Sequence, residues 1–425
     1  MNKGLRFLFV NIGYHPFIGG SQLYCQWLAE RLVKDGHHVT VYTTNALEVE
    51  SIWNKGKPHL LPGWEHIEGV EVIRYPIRHL PPSPYSFYLI KRAMVGLSSI
   101  PLFPKSLLKS MSRYAPWVPE MSRAFNSSKD KVDILHIFTI PFESLMIDAM
   151  SYANRLSVPV VATPFIHTGE AEDEVVKRGY TMPHQVDILR RCRAVTVLTD
   201  IEGNSLNSLG VSKGAIFRVG AGIPVDQLQE PRCMDPSNIY NVNSAYNVLF
   251  LGTATYEKGA VHLLEAVRLL NRRGIDVHLF IAGTVVEHFK RHIRSIPEHE
   301  RAVFTVLGKV TEEEKHRLLD SCDLLAMPSR VDSFGLVYLE AWAHRKAVIG
   351  ANAGGVPEVI SDGHDGILVE FGDVPALVDT IESLLKDKAE RQRLGGNGYS
   401  KLLECYTWDR VYSRMLDVYE KVLRS

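Results

Sequence analysis

The chain has 425 residues, too many for one ordinary hydrophobic core and enough for two domains of about 200 residues each. Apolar residues make up 45% and charged residues 23%, as in water-soluble globular proteins, and 48 lysines and arginines against 48 aspartates and glutamates leave no global basic field to recruit nucleic acid. Five cysteines, at 25, 192, 233, 322 and 405, form no Cys-x-x-Cys pair, which argues against a disulfide framework or a zinc site and for a reducing cytoplasm.

Residues 5–10 predict a buried parallel strand, and the uninterrupted apolar run 7–10 within them is too short for a signal peptide. No stretch reaches the ~18 uninterrupted apolar residues of a spanning helix. A loop with Gly13, Gly19 and Gly20 follows. Ser21 is placed to cap the next helix, whose Leu23, Trp27, Leu28 and Leu32 trace one apolar face, and residues 39–43 alternate as the next strand. This is a βαβ opening with a glycine-rich turn. It lacks the Gly-x-Gly-x-x-Gly spacing, so a nicotinamide site is not supported.

Seven prolines between 81 and 119 break up residues 50–130. There Tyr85, Phe87, Tyr88, Met94 and Phe103 interleave with Lys91, Arg92, Lys105, Lys109 and Arg113. Two readings stand side by side: a surface that lies on an anionic bilayer or forms an acceptor groove, and an ordinary helical insertion with its apolar side inward. Residues 133–138 and 158–163 read as strands. The second leads into Pro-Phe-Ile-His-Thr-Gly-Glu, placing His167 at a strand's carboxyl end, where open α/β sheets bind ligands. His136 reads as structural or as support behind a site. Residues 194–198 are a strand, 201–210 a short helix, 216–219 a strand, and 227–246 read as linker.

The pattern then restarts. Residues 247–251 are a strand, followed by Gly-Thr-Ala-Thr-Tyr-Glu-Lys-Gly and a helix over 260–271. Lys258 stands at that helix's start, where a cation opposes the dipole, a cost that an anionic ligand would relieve. Strands are predicted at 277–282 and 302–307. Thr311 and Glu314 form a capping box for the next helix. Residues 327–349 carry two carboxylates, Asp332 and Glu340, eight positions apart, with Ser333-Phe334-Gly335 between them and a helix beginning after the glycine. A glycine turn at a helix start offers backbone amides and the positive end of a dipole, which suits a phosphate. The flanking carboxylates suit hydroxyls, so the pattern fits a sugar–diphosphate–ribose.

Pro-Ser-x-x-Asp-Ser-Phe-Gly-x4-Glu-Ala resembles the Glu-x7-Glu signature of the retaining glycosyltransferases of family four, with Asp332 in place of the usual first Glu. The resemblance continues at Gly19-Gly20, at Lys258, at Ala-Gly-Gly-Val-Pro-Glu and at Asp-Gly-x-Asp-Gly further on. It departs at Thr253, where the family has Arg; Arg330 or Arg218 could supply the missing charge.

The resemblance implies an α/β protein of the GT-B fold: two Rossmann-like domains facing across a cleft, with a last helix crossing back to the first. The domains would be an acceptor-binding 1–225, a linker 226–246, a nucleotide-sugar-binding 247–406 and the returning helix 407–425. It also implies roles. Lys258, with the amides of Gly19, Gly20 and the turn Ser333-Phe334-Gly335-Leu336, would take up diphosphate charge. Val310 would lie near the base, and Thr253 on the donor. Glu340 would hold the ribose, Asp332 the sugar and positive charge at the anomeric carbon, and His167 would orient the sugar. The implied activity is metal-independent retaining transfer of a hexose from a nucleotide-diphosphate sugar to a glycan, lipid-linked or small-molecule acceptor. No cofactor and no nucleic acid are expected; the residue reading places the chain in the cytoplasm, with 81–119 as a candidate for peripheral contact at the inner face of a membrane beside the alternative of an ordinary helical insertion. The rivals are a GT-B phosphorylase or epimerase, and a nucleotide-sugar-binding module without catalysis, suggested by Thr253.

Overall fold

The computed structural model describes residues 4–170, 174–225, 242 and 244–424, so most of the expected linker at 226–246 lies outside the described residues, as does Cys233. The chain divides into two units: Met1–Ile166 with Glu174–Val219 and Tyr412–Ser425, and His167–Asp173 with Gly220–Val411.

The first unit holds strands β1 (Arg6–Val10), β2 (His38–Thr44), β3 (Gly63–Ile67), β4 (Val70–Tyr75), β5 (Ile134–Phe138), β6 (Val160–Thr163), β7 (Ala194–Val197) and β8 (Ile216–Arg218). They lie in the order β3-β4-β2-β1-β5-β6-β7-β8, all parallel except the β3–β4 pair. Strand β5 is buried along its whole length, as a parallel strand covered on both faces must be. The β3–β4 hairpin has no counterpart in the sequence reading. β3 is an almost wholly exposed edge strand without apolar alternation, and its turn is made by Glu68 and Gly69, both at positive φ. Helices Tyr85–Ser98, Lys105–Ser112 and Pro119–Ser127 follow it.

Two details differ from expectation. The first helix starts at Gly20, with Gly19 as its N-cap in extended conformation, and Ser21 does not cap it. The Ser21 hydroxyl turns instead to Gln22 Oε1 at 3.2 Å. His136 is fully buried, with Nδ1 at 2.6 Å from the Tyr419 hydroxyl and Nε2 at 2.7 Å from Thr163 Oγ1. Tyr419 belongs to the last helix, Trp408–Arg424, and its ring also packs on Phe7. Tyr412 donates to Asp35 at 2.6 Å under the Arg31 guanidinium. His136 is thus the socket that returns the carboxyl terminus to the first unit.

The second unit holds β9 (Tyr246–Leu251), β10 (Val277–Ala282), β11 (Phe304–Gly308), β12 (Leu324–Met327), β13 (Ala347–Ala351) and β14 (Ile367–Val369), all parallel, in the order β11-β10-β9-β12-β13-β14. The chain runs outward from β9 through β10 to β11 and then returns to β9's other side as β12. That reversal is a topological switch point, and the loops leaving β9 and β12 emerge side by side there. The Thr311–Glu314 capping box is formed, with each side chain bonding the other residue's backbone N–H.

Candidate functional site

The loop after β9 carries Thr253 and Lys258, and the loop after β12 carries Asp332 through Gly335. Glycines let these loops close on one another. Gly259, at φ +79°, lies so close to the Pro328 carbonyl that a Cβ would stand 2.3 Å from it. Gly354, at φ +60°, lies equally close to the Asp332 carbonyl, which also accepts from the Gly355 amide at 2.8 Å. The Arg330 amide donates to the Glu257 carbonyl at 3.0 Å, so β9 and β12 loops share a backbone hydrogen bond.

At this junction Lys258 Nζ donates to Asp332 Oδ1 at 2.5 Å. Asp332 is buried; burial raises its pKa, but the Lys258 ammonium, with a smaller pull from His167, outweighs burial and holds the carboxyl below the usual range. The counter-charge for a lysine at a helix start therefore comes from Asp332 within the protein. Asp332 Oδ2 is buried and meets no donor in hydrogen-bonding geometry among the described residues; the nearby Ser329 hydroxyl turns to the Glu257 carbonyl. A ligand hydroxyl would satisfy that oxygen.

His167, from the segment after β6, belongs to this unit and feels both members of the pair. Burial, then the Lys258 charge, push its pKa down to about 4 against the opposing pull of Asp332. The imidazole is neutral at pH 7 and can donate one hydrogen bond and accept another.

Gly335 is the N-cap of the helix Leu336–Ala343, at φ +90°, with its hydrogen facing the Tyr338 ring. A helix start of this kind is where backbone amides can meet an anion. Glu340, one turn in, has a partner that the sequence did not announce: Lys315 donates to Glu340 Oε1 at 2.7 Å and pairs with Glu312 at 2.7 Å. Lys315 is largely buried; burial lowers its pKa, but the two glutamates reverse this and raise it, so it stays charged. It sits 25 residues from Glu340 in an otherwise acidic helix start, and no local pattern marks it.

The remaining expected residues are placed each within its own unit. Phe334 packs edge-on against Tyr406 at 5.4 Å and is nearly inaccessible, so its side chain serves the fold. Thr253, Ser333, Leu336 and Val310 are half-buried at the ends of their strands and helix. Gly19 and Gly20 stand at the carboxyl end of β1, beside the first unit's own reversal between β1 and β5. Arg218 pairs with Asp200. Arg330 lies within the second unit, 4.9 Å over the Phe371 ring and 5.9 Å over Tyr256, with Glu170 at 3.5 Å. Among the described residues no cluster of His, Cys, Asp or Glu is arranged to hold a metal ion, and no helix is long and apolar enough to cross a membrane.

Comparison with known proteins gives two family models in tandem. Residues 19–222 match "Glycosyl transferase 4-like domain", and residues 239–401 match "Glycosyl transferases group 1". An uncharacterized glycosyltransferase of Methanocaldococcus jannaschii is 23% identical over 96% of both chains. Sucrose-phosphate synthase of Thermosynechococcus elongatus superposes with a TM-score of 0.74 over 99% of both chains at 20% identity. An Anabaena protein crystallised with UDP and glucose superposes with a TM-score of 0.70 over 98% of this chain and 99% of that one at 15% identity.

Proposed function

Because the chain belongs to the group 1, family 4-like glycosyltransferases and has their GT-B fold, we propose that it moves a hexose with retention from a nucleotide-diphosphate sugar to an acceptor. The acceptor is a glycan, a lipid-linked sugar or a small molecule. The observation that carries this reading is the Lys258–Asp332–His167 group at the switch point of the second unit. Cleaving the anomeric C–O bond puts negative charge on the diphosphate and positive charge on the sugar ring. An ammonium beside a carboxylate and a neutral imidazole offers a group for each.

In this reading Lys258 exchanges Asp332 for the diphosphate, aided by the amides of Ser333, Gly335 and Leu336. Gly19 and Gly20 keep the role that the resemblance implies, as further amides for phosphate. Asp332 takes sugar hydroxyls on Oδ2 and supports the cationic ring, and His167 orients the sugar as donor or acceptor. Glu340, with one oxygen held by Lys315, presents the other to the ribose. Val310 lines the base. Thr253 leaves room where a cation is usual, and Arg330, stacked on rings, is the second cation. The acceptor's proton leaves through a phosphate oxygen on the attacked face, which gives retention, and no metal takes part. The protein works in the cytoplasm, with residues 81–119 as its contact to the inner face of a membrane.

The test is turnover of a panel of nucleotide sugars in excess chelator, with the product anomer read by NMR. Retention without metal is expected, with loss in K258A. An inverted product, or activity that only added magnesium restores, overturns the mechanism.

A further inference from the structure

We infer that the outer face of the helical hairpin at residues 85–114, in the first unit, is a docking surface for an anionic lipid bilayer, with Ile100 and Leu102 as its inserting tip. This deepens the membrane reading above and is independent of the donor assignments.

Of the thirteen large hydrophobic side chains exposed among the described residues, seven lie in this one stretch: Tyr85, Tyr88, Leu89, Ile100, Leu102, Leu107 and Tyr114. On the helix Tyr85–Ser98 the spacing places Tyr85, Tyr88, Leu89 and Arg92 on one outward stripe. The opposite stripe is apolar too: Ile90, Met94 and Leu97 pack with Phe103, Leu108 and Met182. The helix therefore has apolar groups for the protein and a second set for something else.

The turn between the two helices is the most exposed part. Leu102 is fully solvent-exposed and sits at φ +62°, a region that bulky L-residues rarely adopt. Both the side chain's exposure and its backbone conformation are unfavourable in water. The flanking Pro101 and Pro104 stiffen the turn. Insertion of Ile100 and Leu102 into hydrocarbon would remove the first of these costs.

Charge selects the partner. Residues 85–114 contain five lysines and arginines and no acid. The acids that pair with them lie on the inner side. Arg113 is 44% exposed against 5% for Asp148, Lys105 is 47% exposed against 19% for Asp187, and Lys91 is 20% exposed over a wholly buried Glu143. Arg178 adds a further cation at the tip through Ser99 at 3.1 Å. The outward field is therefore positive around an apolar centre, the complement of an acidic headgroup layer. A second copy of the chain on the same face would set cations against cations, which favours the bilayer over self-association.

The experiment is flotation of the intact chain with vesicles of phosphatidylcholine alone and of equal parts phosphatidylcholine and phosphatidylglycerol. Binding to the anionic vesicles only, weakened by high salt, is expected. The I100E/L102E variant lowers the bound-to-free ratio at least about tenfold, since two apolar groups no longer leave water. R92E/K105E lowers it too, with an effect that shrinks as salt rises. Both variants keep the wild-type thermal stabilisation by nucleotide sugar, which separates this inference from the donor reading and shows that they fold. Absence of flotation, equal flotation with both vesicle types, or wild-type flotation by I100E/L102E overturns the proposal. So does a lipid-free dimer that the tip substitutions dissolve.

Discussion

The Lys258–Asp332 pair can be dissected by a double-mutant cycle. The two groups meet at 2.5 Å with side-chain exposures of 24% and 12%, so neither is solvated as a surface ion would be. Replacing Lys258 by Met leaves a buried carboxylate with no counter-charge. Loss of one partner from a buried pair costs roughly 3–5 kcal/mol, and the quarter-exposed lysine lets some water in, so about 2–3 kcal/mol is expected. D332N leaves an ammonium that can reach solvent along its flexible stem and costs about 1 kcal/mol. K258M/D332N removes both charges and should lose less than the sum, with a coupling of about 1–2 kcal/mol. Hydrogen exchange over β9 and β12 measures this unit alone. The same K258M protein should turn over donor about 10²–10³-fold more slowly, the usual cost of one lost transition-state donor. Additive stability losses would show that the pair is not coupled, and near-normal turnover by folded K258M would refute its role on the diphosphate.

Three further outcomes follow from the same geometry. His167 has a folded pKa of about 4 against an ordinary value of 6.5. The unfolded chain thus binds more protons between those values, and His167's contribution, full above pH 6.5, is lost as pH falls toward 4. About 2 kcal/mol should go between pH 7 and pH 5, measured as the wild-type loss minus that of H167Q. K315M should raise the donor KM about tenfold with little change in kcat, because it disturbs Glu340 and not the reacting centre, whereas K315R should restore most of it. R330A should lower kcat/KM about 10–100-fold if the stacked guanidinium replaces the cation missing at Thr253, and an unchanged value would leave Thr253 uncompensated.

The two α/β halves could be read from the sequence because parallel strands buried on both faces are short continuous apolar runs, as at β5, β9, β10 and β12. The Asp332–Gly335–Glu340 turn could be read because its glycine, its acids and its helix start are neighbours in the chain. The β3–β4 hairpin could not, since an exposed edge strand needs no apolar pattern. Nor could Lys315: its partner is brought to it by the packing of two helices, and nothing within a turn of it differs from a solvated lysine. His136 was recognisable only as a histidine in a strand, because Tyr419 lies 283 positions away. Ser21 shows the limit of residue preferences. Gly19 already supplies the extended N-cap, and the serine, two positions further on, lies inside the first turn.

The most direct test is thermal unfolding of the wild type and of E340A with a panel of nucleotide-diphosphate sugars. At about 100 times its dissociation constant, the right donor should add about 2.7 kcal/mol to the wild type. The same concentration should add little to E340A. Equal stabilisation of the two proteins, or none of the wild type by any member of the panel, would contradict a nucleotide-sugar site at this switch point.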